Sequence, residues 1–171
     1  MSPLDTFLAS ILERAIDELK RARADVYTFS FCHEQSSGAV CVYADSEANS
    51  RRVIGALNRA SMKRFAKAVK KRDLEEAMMW QATVGRSLSL SNFAWKKLAK
   101  SSLKKLKDAP ELHEAMLIAA MKAAPKVAAL SSDREMLLFT CSTVDEEVGL
   151  VWTADAASST PKKARPTRKR R

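Results

Sequence analysis

The residues of this chain that could carry soft-metal or nucleophilic chemistry are few: Cys32, His33, Cys41, His113 and Cys141. A metal set would have to come from Cys32, His33, Cys41 and Cys141. Cys32 and His33 are adjacent, so in a strand they point to opposite faces and do not share one ion easily. There is no Cys-x-x-Cys, and buried cysteines acting as small hydrophobes account for these positions. A Cys-His nucleophile pair meets the same objection, because base and nucleophile must lie within hydrogen-bond reach. His113 stands between Glu111 and Glu114 in a helical pattern, where an exposed position is expected. The carboxylate pairs Glu75-Glu76 and Glu146-Glu147 fall in a charged helix and a turn and read as solvated surface. With 4 glycines and neither G-x-x-x-x-G-K-[ST] nor G-x-G-x-x-G, the chain lacks a loop that would cradle phosphate. The expectation is a non-enzymatic protein with no catalytic residues, no metal and no cofactor.

Charge is the stronger signal. The net charge of +10 is unevenly spread. Residues 1–58 carry 6 basic and 8 acidic side chains, residues 59–108 carry 14 and 4, residues 109–160 carry 3 and 8, and residues 161–171 carry 7 and 0. Such segregation points to an anionic partner for the basic parts or to pairing between the halves of the chain. The candidate anion- or partner-binding residues are Lys63, Arg64, Lys67, Lys70, Lys71, Lys96, Lys97, Lys100 and Lys104, with Arg168, Lys169, Arg170 and Arg171 in the tail. Lysine faces can track a phosphate backbone through counterion release. Base reading asks for Arg, Asn or Gln on an exposed helix face, which residues 96–107 offer sparingly, so the nucleic-acid expectation is non-specific DNA or RNA.

The elements that must position these residues follow from periodicity. Leu4, Leu8, Ile11, Leu12, Ala15, Ile16 and Leu19 form one face of an amphipathic helix with Pro3 near its start. Tyr27, Phe29 and Phe31 alternate with Thr28, Ser30 and Cys32, and Val40 and Val42 answer them. Residues 26–45 therefore read as a β-hairpin with one apolar face, turning at Ser36-Ser37, with Gly38 free to take a positive φ and Cys32 opposite Cys41. Ser46 is placed to cap a helix through about 60. A second helical stretch over 61–80 carries Met62, Phe65, Ala66, Val69, Leu74, Ala77 and Met78 on its apolar side. A third, capped by Ser91 or Asn92, runs to 107, and another starts at Pro110 and ends at Pro125. Residues 135–144 and 148–152 read as strands joined by a turn at 145–147. Trp80, Trp95 and Trp152 fall on apolar stripes, where core packing is expected.

The fold class is thus α+β: an antiparallel sheet of about four strands from two hairpins, 26–45 and 135–153, packed against four or five helices. Residues 1–153 form one domain, and residues 154–171 form a basic tail whose composition suggests disorder. No run approaches the roughly 18 to 20 apolar residues of a membrane span, and Met-Ser-Pro-Leu-Asp is not a signal peptide. With an odd, widely spaced set of three cysteines, this suggests a cytoplasmic protein in a reducing compartment.

The order of N-terminal helix, Tyr-x-Phe-x-Phe strand at 27–31, return strand ending Val-Tyr-Ala-Asp at 42–45, helical middle and Met-Leu-Leu-Phe at 136–139 resembles the bacterial domain-of-unknown-function family four-three-zero-three over residues 5–153. Proteins of this size and context are similar to the small SMI/KNR-like immunity proteins of bacterial toxin systems. The resemblance implies a non-enzymatic binder of another protein, an immunity or accessory factor, and carries over no catalytic residues. The lysine-rich middle departs from the acidic character of an inhibitor aimed at a nuclease. The two function expectations are a protein-binding module and, as the alternative, a nucleic-acid-associated protein using the basic helices and tail.

Overall fold

A computed structural model describes residues 2–34, 37–102, 110–142 and 150–153. Helix α1, Pro3–Arg21, begins with a capping box: Ser2 Oγ accepts from the Asp5 amide while Asp5 accepts from the Ser2 amide. It ends with Arg23 at φ 49°, where the Ala24 amide reaches back to the Leu19 carbonyl and closes the last turn. Strands β1, Thr28–Glu34, and β2, Ala39–Asp45, form the expected hairpin, and Cys32 faces Cys41 in the register. Gly38 sits at φ 62°, the left-handed conformation that its missing Cβ permits.

Four strands, β1, β2, β4 (Leu138–Ser142) and β5 (Leu150–Thr153), make a mixed sheet, extended at the β2 edge by the short β3, Lys100–Ser102, in the order β3-β2-β1-β4-β5. The expectation of a purely antiparallel sheet is corrected here. Each hairpin pairs antiparallel within itself, but β1 and β4 run parallel, Phe29 beside Phe139 and Phe31 beside Cys141. The first strand of each hairpin lies inside the sheet, and the long helical connection between them supplies the crossover that a parallel pair needs.

The single apolar face expected for the hairpin is also corrected, because β1 and β2 are buried on both sides. One face carries Phe29, Phe31, Val40 and Val42 against α1 and α4 (Pro110–Ala128), whose Leu12, Ile16, Leu112 and Met116 complete the main core. The other face, with Cys32, Cys41 and Tyr43, is covered by Leu90 and Phe93. Strands buried on both faces are the usual companions of parallel pairing. Helix α4 runs through Pro125 rather than stopping there; the ring is exposed, so water can take the bond that the Met121 carbonyl loses.

Two further expectations fail between the hairpins. Helices through 60 and over 61–80 are one helix, α2 (Glu47–Lys70), followed by the short α3 (Leu74–Met79), because nothing between Arg59 and Met62 breaks the backbone. The break comes at Arg72, φ 59°, and Asp73 caps α3 by accepting from the Glu76 amide. The helix expected from 91 or 92 is a single 3-10 turn, Leu90–Asn92, followed by extended chain, and residues 103–107 lie outside the described residues. The free edge of β2 decides this: Ala44 exchanges both backbone bonds with Trp95, and Val42 bonds to Ala99 and Leu98. A lysine-rich 3.6-residue pattern gave way to the hydrogen bonds that a sheet edge offers. The turn expected at 145–147 and the basic tail lie outside the described residues as well.

Amide hydrogen exchange tests this reassignment. The Trp95 and Leu98 amides, bonded to Ala44 and Val42, should be protected, while the Lys96 amide between them exchanges fast. A continuous protected run from 92 to 99 would contradict the edge pairing.

Candidate functional site

The polar groups at the hairpin end are organised around Glu34. Its carboxylate accepts from Tyr43 Oη at 2.7 Å and Ser37 Oγ at 2.9 Å. Lys97 Nζ lies 2.9 Å and Lys100 Nζ 3.6 Å from it. Burial pushes the carboxyl pKa up, but the bonds from Lys97, Tyr43 and Ser37 outweigh burial and hold it at about 2. Burial and then the neighbouring Glu34 push Cys41 to about 12 and raise the Tyr43 hydroxyl. Cys141 is likewise pushed to about 12 by burial. These thiols stay protonated near neutral pH and are poor nucleophiles. The cluster clamps the segment at 97–100 to the hairpin; it is not arranged for proton transfer.

A second polar anchor holds the base of α2. Asp45 is buried and accepts from Asn49 Nδ2 at 2.7 Å and the Ala94 amide at 3.0 Å. Its burial raises the carboxyl pKa, partly offset by those donors. Ser50 Oγ accepts from the Ser87 amide at 2.8 Å, with both residues buried. Arg86 donates to the Tyr27 and Met136 carbonyls at the start of β1 and just before β4, and its guanidinium lies 3.8 Å from the Tyr27 ring centroid. Sequence reasoning missed Glu34, Asp45 and Arg86, since each gains its role from partners more than nine positions away or from a strand register.

Past that base, α2 is scarcely buried: of Glu47–Lys70 only Ser50 and Ala68 are. Helix α3 folds back along it. The segment after α3 is stapled to α2 by Asn58, which accepts from the Thr83 amide at 2.8 Å and donates to the Thr83 carbonyl at 2.9 Å. Between them lies a groove of about 320 Å³ lined by Asn58, Ser61, Met62, Phe65 and Trp80. The Trp80 ring is half-buried under the Arg64 guanidinium at 4.2 Å, a cation–π contact. Met62, Met78 and Met79 are 69%, 70% and 75% exposed, and Phe65, Val69 and Leu74 are exposed too. Of the twelve exposed large hydrophobic side chains among the described residues, nine fall between Leu57 and Leu88. The apolar side expected to face the core is thus largely open to solvent.

The predicted basic residues divide four ways. Lys63, Arg64, Lys67, Lys70 and Lys71 are exposed on α2 and its C-terminal cap, with Lys63, Lys67 and Lys70 on the side of the helix away from Phe65. Lys96 is exposed and lines a separate open groove with Arg52 and Asn92. Lys97 and Lys100 are engaged with Glu34. Lys104, Arg168, Lys169, Arg170 and Arg171 lie outside the described residues. Cys32 is buried in the second cluster and Cys141 in the main core, on opposite faces of the sheet. His113 is half-buried on α4 rather than exposed. Among the described residues no three of His, Cys, Asp and Glu converge as a metal set would.

No helix among the described residues is long and apolar enough to cross a membrane. No protein-family model matches the chain, and no curated protein or solved structure matches it.

The Glu34 clamp makes a pH prediction. Its folded pKa lies below the ordinary 4.5, so its contribution is present above that pH and is lost as pH falls towards 2. With both lysines about half exposed, that contribution is on the order of 1–3 kcal/mol. Urea unfolding should show Glu34→Gln less stable at pH 7 by about that amount, with a flatter loss of stability below pH 4.5 than the parent. An unchanged acid-side slope would contradict the clamp.

Proposed function

We propose that this chain is a non-enzymatic protein-binding module that docks a partner on the α2–α3 surface, in the accessory or immunity role that its layout resembles. One observation carries the reading: the gathering of exposed large side chains on a helical hairpin whose base alone is anchored. Contiguous apolar surface rimmed by polar groups is how soluble proteins present interaction sites. Three exposed methionines suit such a role, since their unbranched thioethers repack against varied partners.

A second reading has its own support. Between Glu47 and Lys70 the helix carries seven basic residues and one acidic one, a distribution that suits a phosphate backbone. The two readings engage different sides of α2. Nucleic acid would use the lysines and leave the methionines in water; a protein partner would cover the methionines.

A photo-crosslinking residue placed at Met62 or Met78 of the full chain in its source cells tests the choice. The expected result is discrete protein adducts that are absent when the same residue replaces exposed Lys122 on α4. Adducts with nucleic acid alone, or a pattern identical to that from position 122, would overturn the protein-binding reading. The alternative requires salt-sensitive DNA or RNA binding that K63E/K67E abolishes and M62Q/M78Q leaves intact.

A further inference from the structure

The basic side of α2 makes a second surface, turned away from the apolar groove. Between Arg52 and Lys70 the helix carries six basic side chains and no acidic one. At 3.6 residues per turn, Arg52, Arg59, Lys63, Lys67 and Lys70 fall within about 80° of its circumference and form a straight stripe about 27 Å long. All five are exposed. Among the described residues, none of the five is in an ion pair with a carboxylate. Arg64 stands off the stripe, over the Trp80 ring.

At its Arg52 end the stripe meets a groove of about 620 Å³, with Arg52, Val53 and Leu57 of α2 on one wall and Asn92 and Lys96 on the other. Arg52 is held in place there by a chain of hydrogen bonds. Its guanidinium donates to Asn49 Oδ1 at 2.7 Å, and Asn49 Nδ2 donates to Asp45 Oδ1 at 2.7 Å and to the Asn92 carbonyl at 2.8 Å. Asp45 is itself buried, bonded also to the Ala94 amide, so the lining of the groove holds two cations and no acid.

The stripe selects among polyanions. A protein interface needs apolar side chains at its centre, where lysine is depleted, and Ala56 is the one apolar residue of α2 within the stripe. An anionic membrane takes large apolar side chains into its acyl boundary, and Met62 and Phe65 are exposed on another side of the helix. A second copy would set this stripe against itself. A phosphate backbone asks only for cations in a row and releases counterions to each of them. Over about 27 Å, one strand of a duplex presents about eight phosphates.

We infer that a nucleic acid lies along this stripe of α2, its backbone continuing into the groove, where Arg52 and Lys96 flank a phosphate from opposite walls. The inference rests on the phosphate-backbone reading above, adds Arg52, Arg59 and Lys96 to it, and leaves the apolar side of α2 open to a protein. Contacts of this kind position a nucleic acid without reading its sequence.

The test is binding of labelled single- and double-stranded DNA and RNA of mixed sequence to the full chain, followed by fluorescence anisotropy from about 50 to 200 mM salt. The variants are R52Q/K96Q, K63Q/K67Q and, as a control of equal charge, K122Q/R134Q, whose residues are exposed on α4 and ahead of β4. Each lost phosphate contact lowers the slope of log K against log salt by about 0.9 on a duplex and about 0.7 on a single strand. The expected result is a slope lower by about 1.4 to 1.8 in both stripe variants and unchanged in the control. K96Q alone should lose about half of that, and it decides the groove contact if loss of the Arg52 to Asn49 bond loosens the start of α2.

A slope lowered by K63Q/K67Q but not by R52Q/K96Q or K96Q would overturn the inference while leaving the phosphate-backbone reading standing. Slopes unchanged in every variant, a control weakened as much as the stripe variants, or no binding at the lowest salt would remove both. Polyglutamate or phosphatidylserine vesicles bound through the same residues more tightly than any of the four nucleic acids would make an acidic protein or a membrane the occupant and overturn the inference. None of these substitutions touches Met62 or Met78, so protein docking on the apolar side is judged separately by the crosslinking above.

Discussion

The rest of the structure depends on the parallel pairing of β1 with β4 at the middle of the sheet. Inner strands of this kind are buried on both faces, and each face has to be covered. Helices α1 and α4 supply one cover and pack on each other as they do so. The second cover is not a helix; it is the chain around Leu90 and Phe93, laid across Cys32, Cys41 and Tyr43. Irregular backbone over a sheet must find partners for its amides and carbonyls. That requirement explains the polar anchors: Asp45 on the Ala94 amide, Ser50 on the Ser87 amide, and the backbone of Trp95 on Ala44.

Because a loop covers the second face, α2 is freed from that task. Its first turns are tied down through Asn49 and Ser50, and the remaining turns extend past the anchored base with α3 folded against them. The result is a two-helix projection with an apolar groove on one side of α2 and exposed lysines on another, carried on a domain whose two core clusters contain none of its side chains. The charge segregation visible in the composition thus has a structural counterpart. Seven of the fourteen basic residues between 59 and 108 stand on α2 or just past its end, while Lys97 and Lys100 are committed to Glu34 and Arg86 to the Tyr27 and Met136 carbonyls.

Much of the fold was legible in the residues themselves. Local signals fixed α1, the first hairpin and its register, and the start of α4: a capped amphipathic pattern, an alternating aromatic strand and Pro110. The parallel β1–β4 contact was not legible, since strand order is set by how the long connection packs rather than by either hairpin. The helix expected after Asn92 failed for a similar reason, because Trp95 and Leu98 answer to the open edge of β2 and not to their neighbours in sequence. For α2 the periodicity located the stripe correctly but not its environment. Apolar residues at helical spacing look the same whether the domain covers them or a partner does, so the candidate site was half visible: its lysines as charge, its methionines as supposed core.

The central claim is that the α2–α3 apolar surface lies outside the core that stabilises the domain. Urea unfolding of the full chain carrying M62Q/M78Q/M79Q tests it most directly, because glutamine keeps the length and helix propensity of methionine. The account predicts a stability within about 1 kcal/mol of the parent, as expected for exposed positions. A loss of about 3 kcal/mol or more would mean that these side chains are buried in the folded chain, covered by part of its own sequence, and the docking account would fail.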